Sequence, residues 1–195
     1  MELVLATRNA HKIEEFARIL VPHTVVPLPA EVELPPETGS TFVENALIKA
    51  RAAADGTGRP VFADDSGIEA TALDGAPGIY SARFAGENAT DDENLDKLLR
   101  SVPANGDRRV AYVCALVYLG PDGEPQAFVE RCHGLLAPSR RGDGGFGYDP
   151  AFVANETGDG RTMAELTADE KDAISHRGRA ARAFANWLDA QEDVA

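Results

Sequence analysis

The sequence predicts an α/β fold on a mixed β-sheet, and the order of its local signals carries that reading. Short apolar runs of strand length alternate with helical spacings through the first half of the chain. Three Thr-x-x-Glu signatures mark helix starts, and a late run of strand formers is broken once, at "GPDG". Strands alternating with helices, then a hairpin, then helices, call for a mixed sheet covered by helices.

"ELVLA", residues 2–6, reads as a short buried strand, and from Lys12 the apolar residues Ile13, Phe16, Ala17 and Leu20 keep a helical spacing. "TVVPL" is a second strand leading into the Pro-rich loop "PAEVELPPETGS". Thr41 and Glu44 then form a capping box on a helix expected to reach about Ala54. "PVFA", residues 60–63, gives another short strand, with Asp64 and Asp65 at its C-terminal end. Thr90 and Glu93 repeat the capping signal ahead of Leu95, Leu98 and Leu99. "RVAYVCALVYLGPDGEPQAFVERC" reads as a hairpin. Thr167 and Glu170 open a C-terminal helical region whose two segments are expected to meet at Gly178, and the tail "DAQEDVA" is expected to fray.

A chain of 195 residues holds one sizeable core, so a single domain spanning 1–195 is expected. Apolar residues make up 44% and aromatics 7%, and no apolar run nears the ~18 residues that would cross a bilayer. Met1 runs into "ELVLAT" without a basic leader or cleavage site, so no signal peptide is expected. Cys114 and Cys132 match neither a disulfide framework nor a zinc spacing, which points to buried thiols in a reducing cytoplasm. A formal net charge of −13 argues against nucleic-acid and anionic-membrane partners. A small anionic ligand would need a local basic pocket. The lysines are few, Lys12, Lys49, Lys97 and Lys171, and three of the four fall inside the motifs below.

In "ATRNAHK", residues 6–12, a strand gives way to a polar turn and a helix start, which offers free backbone N–H groups and the positive end of a helix dipole. Thr7 and Asn9 add neutral donors; Arg8, His11 and Lys12 add positive charge. That is a phosphate site in outline, and equally an N-capped helix with solvated basic residues. It lacks the Gly-Lys-Ser/Thr ending of a Walker A loop. In "RRGDGGFGYDP", residues 140–150, glycines surround Phe146, Tyr148 and Asp149, so an aromatic held among them offers a face for stacking on a base. A glycine-rich surface loop with one buried ring is the plainer alternative. "DEKDAISHRGRA", residues 169–180, brings Lys171, Ser175, His176 and Arg177 close in sequence; paired donors there suit a carbonyl or phosphate, and a charged helix face is the other account.

Asp64 and Asp65 stand in "ADDSG", where a strand-end turn with Gly67 is one reading. Two adjacent carboxylates repel unless a cation offsets the charge, and hard divalent ions take carboxylate and phosphate oxygens, so a metal site is the sharper reading. The dehalogenase-type phosphatases need Asp-x-Asp, and Ser66 stands where the second aspartate would be.

In order, "TRNAHK", "TGSTFVENALIKA", "ADDSGIEA", "GAPGIYSARFAG", "GGFGYDP" and "AELTADEKDAISHRGRA" closely resemble the inosine triphosphate pyrophosphatase family, the Ham1/RdgB type of noncanonical purine nucleoside triphosphatase, from about residue 2 to about residue 188. The resemblance implies an elongated mixed α/β fold with the active site between two lobes, a homodimer, and Mg²⁺-dependent hydrolysis of ITP, dITP and XTP to monophosphate and pyrophosphate. It places a phosphate loop on Thr7, Arg8, Asn9, Ala10, His11 and Lys12, with Lys49 near the triphosphate. It puts the catalytic acid-base position on Asp65 with Ser66 beside the substrate. Nucleotide contacts fall on Phe146, Gly147, Tyr148, Asp149, Lys171, His176 and Arg177. Glu37, in "PPETG", becomes the candidate metal ligand alongside Asp64 and Asp65. A Maf-like pyrophosphatase of other base preference and a non-catalytic nucleotide-binding protein are the competing readings.

Overall fold

A computed structural model describes residues 1–192. Among these residues six strands form one sheet in the order β2-β1-β3-β4-β5-β6. They are β1 (Glu2–Leu5), β2 (Thr24–Pro27), β3 (Val61–Ala70), β4 (Arg109–Leu119), β5 (Pro125–Leu136) and β6 (Phe152–Ala154). β1 runs parallel to β2 and β3, and β5 runs antiparallel to β6, so the sheet is mixed as expected. β4 and β5 are neighbours across a connection far too short for a parallel crossover, which makes them the hairpin read from "GPDG". Among the described residues no helix is long and apolar enough to cross a membrane.

Among the described residues five α-helices accompany the sheet: α1 (Ala10–Ile19), α2 (Phe42–Thr57), α3 (Asp91–Ser101), α4 (Ala168–Ile174) and α5 (His176–Glu192). Their starts obey the capping rules. Thr90 with Glu93 and Thr167 with Glu170 form complete capping boxes, satisfying end N–H groups from both sides. Thr41 makes only half of one: its Oγ1 accepts from the Glu44 N–H, while the Glu44 carboxylate turns back to the backbone N–H and hydroxyl of Ser40. α2 ends at Gly58, whose φ of 61° is the left-handed conformation that closes a helix.

Three expectations are corrected. β3 does not stop before the aspartates; it runs ten residues, and Asp64 and Asp65 are interior strand positions. The C-terminal helices part at Ser175, which is extended (φ −65°, ψ 155°), and Gly178 lies inside α5. Of the tail expected to fray, residues 189–192 are helical, and 193–195 lie outside the described residues.

The chain divides into two compact units. Unit 1 comprises Met1–Asp65, Cys114–Glu130 and the chain from Arg177; unit 2 comprises Ser66–Val113 and Arg131–His176. In unit 1 the pleat of β1 sends Leu3 and Leu5 into one apolar cluster, with Phe16, Leu20, Phe62 and Phe184, and Val4 and Ala6 into another, with Ala46, Ala50, Val61 and Ala63. Both faces of these strands are therefore covered, α1 and α5 packing on one and α2 on the other. Unit 2 has its own core around Ile68, Leu95, Leu98, Tyr112, Phe152 and Met163. Both cysteines are buried thiols, and burial, followed by the nearby Asp64 charge, pushes Cys114 up to about 12.

Gly134 pairs with Ala154 between β5 and β6, and a Cβ there would run into the Val153 carbonyl oxygen and the Phe152 ring. Gly134→Ala is expected to cost about 1–3 kcal/mol, as overpacking typically does, read as a lower denaturant midpoint at unchanged slope. A midpoint within error of the parent would show that the β5–β6 pairing has slack.

Candidate active site

Two groups of polar side chains are built on the two units. The first begins where β1 passes into α1. Asn9 caps α1, its Oδ1 accepting from the Lys12 N–H at 3.2 Å, and the Thr7 hydroxyl oxygen accepts from the Asn9 N–H at 3.2 Å. Ala10 is the first residue of α1 and His11 is exposed. Arg8 turns away from this helix start. Its guanidinium donates to the carbonyls of Leu28, Pro29 and Val32 at 2.6–2.7 Å and more distantly to Ala30, pinning the loop that follows β2. An Arg in this turn reads as a phosphate ligand from sequence alone, yet its fork is engaged by backbone.

Lys12 points at β3, where its Nζ lies 2.8 Å from Asp64 Oδ2. Asp64 is fully buried. The Arg177 guanidinium stands 3.9 Å from the same oxygen and pairs with buried Glu15 at 2.5 Å. Burial pushes the Asp64 carboxyl up, but Lys12, Arg177 and Lys49 outweigh it and hold Asp64 well below the usual carboxylate range. Asp64 is thus an ion-pair centre between α1 and α5, and Glu15 is a member that the sequence reading missed. Its signal was available: an acid one helical turn from Lys12.

Asp65 is the next residue of β3, so the pleat turns it to the other face, toward α2. There Asn45, wholly buried, donates from Nδ2 to Asp65 Oδ2 at 3.0 Å while its Oδ1 accepts from the Gly39 N–H at 2.8 Å. Lys49, one turn further along α2, pairs with Glu37 at 2.5 Å. Burial raises the Asp65 pKa; Lys49 opposes this and the Glu37 charge reinforces it, leaving a carboxyl that holds its proton above the ordinary range. Lys49 itself is pulled down by burial and more than restored by Asp64, Glu37 and Asp65. The adjacency of the two aspartates therefore imposes less repulsion than the sequence suggests, because alternate faces give each its own hydrogen-bond partner, Lys12 or Asn45, and Lys49 attracts both. Ser66 follows, half-buried, as the first residue of unit 2.

Among the described residues no group of three or more His, Cys, Asp or Glu side chains could by itself hold a metal ion. Asp65 and Glu37 nonetheless fit Mg²⁺ chemically. They offer hard oxygen ligands under mutual charge pressure, and Mg²⁺ ordinarily takes one or two carboxylates and completes its shell with water and phosphate oxygens. Asp64, held by Lys12 and Arg177, is already neutralised by cations.

The second group is in unit 2. Buried Asp149 accepts from the Tyr112 hydroxyl at 3.0 Å, from Lys171 Nζ at 2.6 Å and from the Phe146 N–H at 2.9 Å. Gly145 has a φ of 68°, and a Cβ on it would strike the Asp149 carboxylate, so this glycine is obligatory for the turn. Lys171 Nζ lies 5.0 Å from the centre of the half-buried Phe146 ring. The Gly147 N–H donates to Asp91 at 2.9 Å. Tyr148 is buried in the unit 2 core and donates its hydroxyl to the Ser81 carbonyl at 2.7 Å, so it anchors the loop. His176 is buried and stacks on Tyr112, ring centres 4.5 Å apart at 12°. Of the residues read from the sequence, Phe146, Asp149, Lys171 and His176 belong to this group, while Arg177 belongs to the cluster of unit 1.

Fold and polar groups together define a mixed-sheet α/β protein with a cationic, carboxylate-bearing cluster on one unit and an aromatic, glycine-rich cluster on the other. The chain belongs to the Ham1 family, whose model matches residues 3–187. It is 49% identical over 185 residues to a dITP/XTP pyrophosphatase of Geobacter sulfurreducens, spanning 91% of this chain and 92% of that one. It is 48% identical to the dITP/XTP pyrophosphatase of Salmonella paratyphi A, over 96% of this chain and 98% of that protein. The solved structure of the Staphylococcus aureus Ham1 protein superposes with a TM-score of 0.86 at 41% identity, covering 98% of this chain and all of that one.

The opposite environments of the two aspartates predict opposite stability effects. A carboxyl whose folded pKa is raised favours folding only while protonated, and that contribution is lost as pH rises through the folded value, so ionised Asp65 costs stability at neutral pH. Asp65→Asn is expected to raise the metal-free thermal midpoint at pH 7, the gain vanishing below about pH 3. Asp64, with its pKa lowered, contributes stability that is present above its unfolded value and lost on acidification. Asp64→Asn should lose about 3–5 kcal/mol at pH 7, as breaking a buried pair does. Shifts of the same sign in both variants would refute the division.

Proposed function

We propose that the chain is a Mg²⁺-dependent pyrophosphohydrolase that converts ITP, dITP and XTP to the monophosphate and pyrophosphate, with residues 1–195 acting as one domain. The observation that carries this reading is Asp65: a buried carboxyl with raised pKa, oriented by Asn45 and set beside Lys49 and Glu37, in a chain of the Ham1 family. Relatives named dITP/XTP pyrophosphatases align over nearly the whole chain and supply the substrate class. The buried thiols suit a reducing cytoplasm. The homodimer remains part of the reading through the family likeness.

The phosphate side falls to unit 1. The α1 N-terminus, Thr7 and Asn9 offer neutral donors, and Lys12 and Lys49 offer charge that strengthens contacts to a leaving pyrophosphate. Asp65 accepts a proton from water as the water oxygen bonds the α-phosphorus and the α–β bridging bond breaks; a raised pKa makes it the stronger base. Mg²⁺, held through Asp65 and Glu37, would supply charge neutralisation on the departing phosphates. Asn45 fixes the carboxylate that takes the proton, and through Gly39 it also ties down the loop bearing Glu37.

The base side falls to unit 2. Phe146 offers a face for stacking, and Lys171 and His176 offer donors to a 6-oxo group. The 6-amino group of adenine would set donor against donor, which is how a hydrogen-bonding pocket rejects it.

A panel of ITP, XTP, ATP, dTTP and UTP with Mg²⁺ is expected to give monophosphate and pyrophosphate from ITP and XTP at higher rates than from ATP, dTTP or UTP. IDP with orthophosphate as first products, or preference for dTTP or UTP as in a Maf-like enzyme, would overturn the reading. Asp65→Asn should lower turnover by roughly 10²–10⁴, the usual worth of general-base assistance. Near-parent turnover would remove Asp65 from the mechanism.

A further inference from the structure

Tyr112 joins the residues of the base side in a way that nothing in the site motifs indicates. It lies on β4, 6% exposed, in a run of strand formers that reads as one arm of a hairpin. Its ring stacks on Phe152 at 4.3 Å and 26°, and on His176 at 4.5 Å and 12°. Two near-parallel rings cannot share one face at those separations, so Tyr112 lies between them in a three-ring stack. Stacking at this range fixes ring planes. With one face against Tyr112, His176 is constrained to present its ring edge, where its hydrogen-bonding nitrogens are.

The other end of Tyr112 acts on different residues. Its hydroxyl donates to Asp149, whose carboxylate also receives Lys171 Nζ and the Phe146 N–H. Tyr112 therefore orients His176 through its ring and Asp149, Lys171 and Phe146 through its hydroxyl, without itself reaching the surface. A phenylalanine would supply the stack alone; the hydroxyl couples the histidine to the carboxylate that holds the lysine and the loop.

We infer that Tyr112 is a positioning residue for base selection, setting the relative placement of the His176 edge and the Lys171 ammonium so that both meet a 6-oxo purine. This rests on the proposal that Lys171 and His176 face the base. The hydroxyl and the ring are separable contributions. Removing the hydroxyl frees the Asp149–Lys171–Phe146 group to shift against His176. Removing the ring as well releases the imidazole plane.

The test compares Tyr112→Phe, Tyr112→Leu and His176→Ala with the parent on ITP and ATP, using the ratio of kcat/KM values and the thermal midpoint. Tyr112→Phe keeps the core ring and should fold. It is expected to lower the ITP:ATP ratio by about five- to tenfold, the scale of one ordinary hydrogen bond. KM for ITP should change more than kcat. Tyr112→Leu should lower the ratio further, toward that of His176→Ala. A lowered midpoint with an unchanged ratio in Tyr112→Phe, while His176→Ala does change the ratio, would make Tyr112 a core residue only and overturn the inference. If His176→Ala also leaves the ratio unchanged, the assignment of the base side fails, and this inference with it.

Discussion

The pair of half-buried Lys12 with buried Asp64 is the interaction on which unit 1 depends. A carboxylate with no solvent exposure is tolerable only when cations surround it, and here Lys12 of α1 and Arg177 of α5 converge on one oxygen. Arg177 is in turn balanced by Glu15. The consequence is geometric: the ion pairs fix how α1 and α5 meet β3, and so fix where the N-terminus of α1 presents its N–H groups. A lysine that reads as a ligand for phosphate is, without substrate, a structural cation. Binding a triphosphate would then be a competition for Lys12 between phosphate oxygens and Asp64.

The same strand carries the opposite arrangement one residue on. Lys49 acts on both carboxyls, but Asp65 has otherwise an amide partner and an acidic neighbour where Asp64 has Lys12 and Arg177 at its oxygen, and the pleat turns the two side chains to different faces. Environment, not residue type, decides which carboxyl is held ionised and which is poised to take a proton. α2 serves the second face with Asn45 and Lys49 four residues apart, a spacing that sets both side chains along one side of the helix.

Much of this was legible. The strands and helices announced themselves through apolar spacing and capping residues, because those signals are local: Thr90 and Glu93 cap α3 whatever surrounds them. What could not be read was partnership at long range. The end of β3 was misplaced because Asp-Asp-Ser-Gly has the composition of a turn, whereas in the fold Lys12 and Arg177 satisfy Asp64 inside a continuing strand. Arg8 and Arg177 carried the right chemistry for an anion, yet one clamps four carbonyls and the other neutralises Glu15, 162 residues away in sequence. Asn45 stands inside the "TGSTFVENALIKA" motif without a role that the motif assigns, and Tyr112 lies outside every motif, since an amide in a helix and an aromatic in a strand are ordinary until their partners are known.

Adjacent carboxyls of β3 are thus held in opposite states by their different surroundings. Site-resolved carbon NMR of the two carboxyl groups through a pH titration of the metal-free protein measures this directly. The account predicts that Asp64 stays ionised to below the ordinary carboxylate range while Asp65 titrates above it. Two carboxyls titrating together near the free-aspartate value of about 3.9 would contradict it, as would the reverse order.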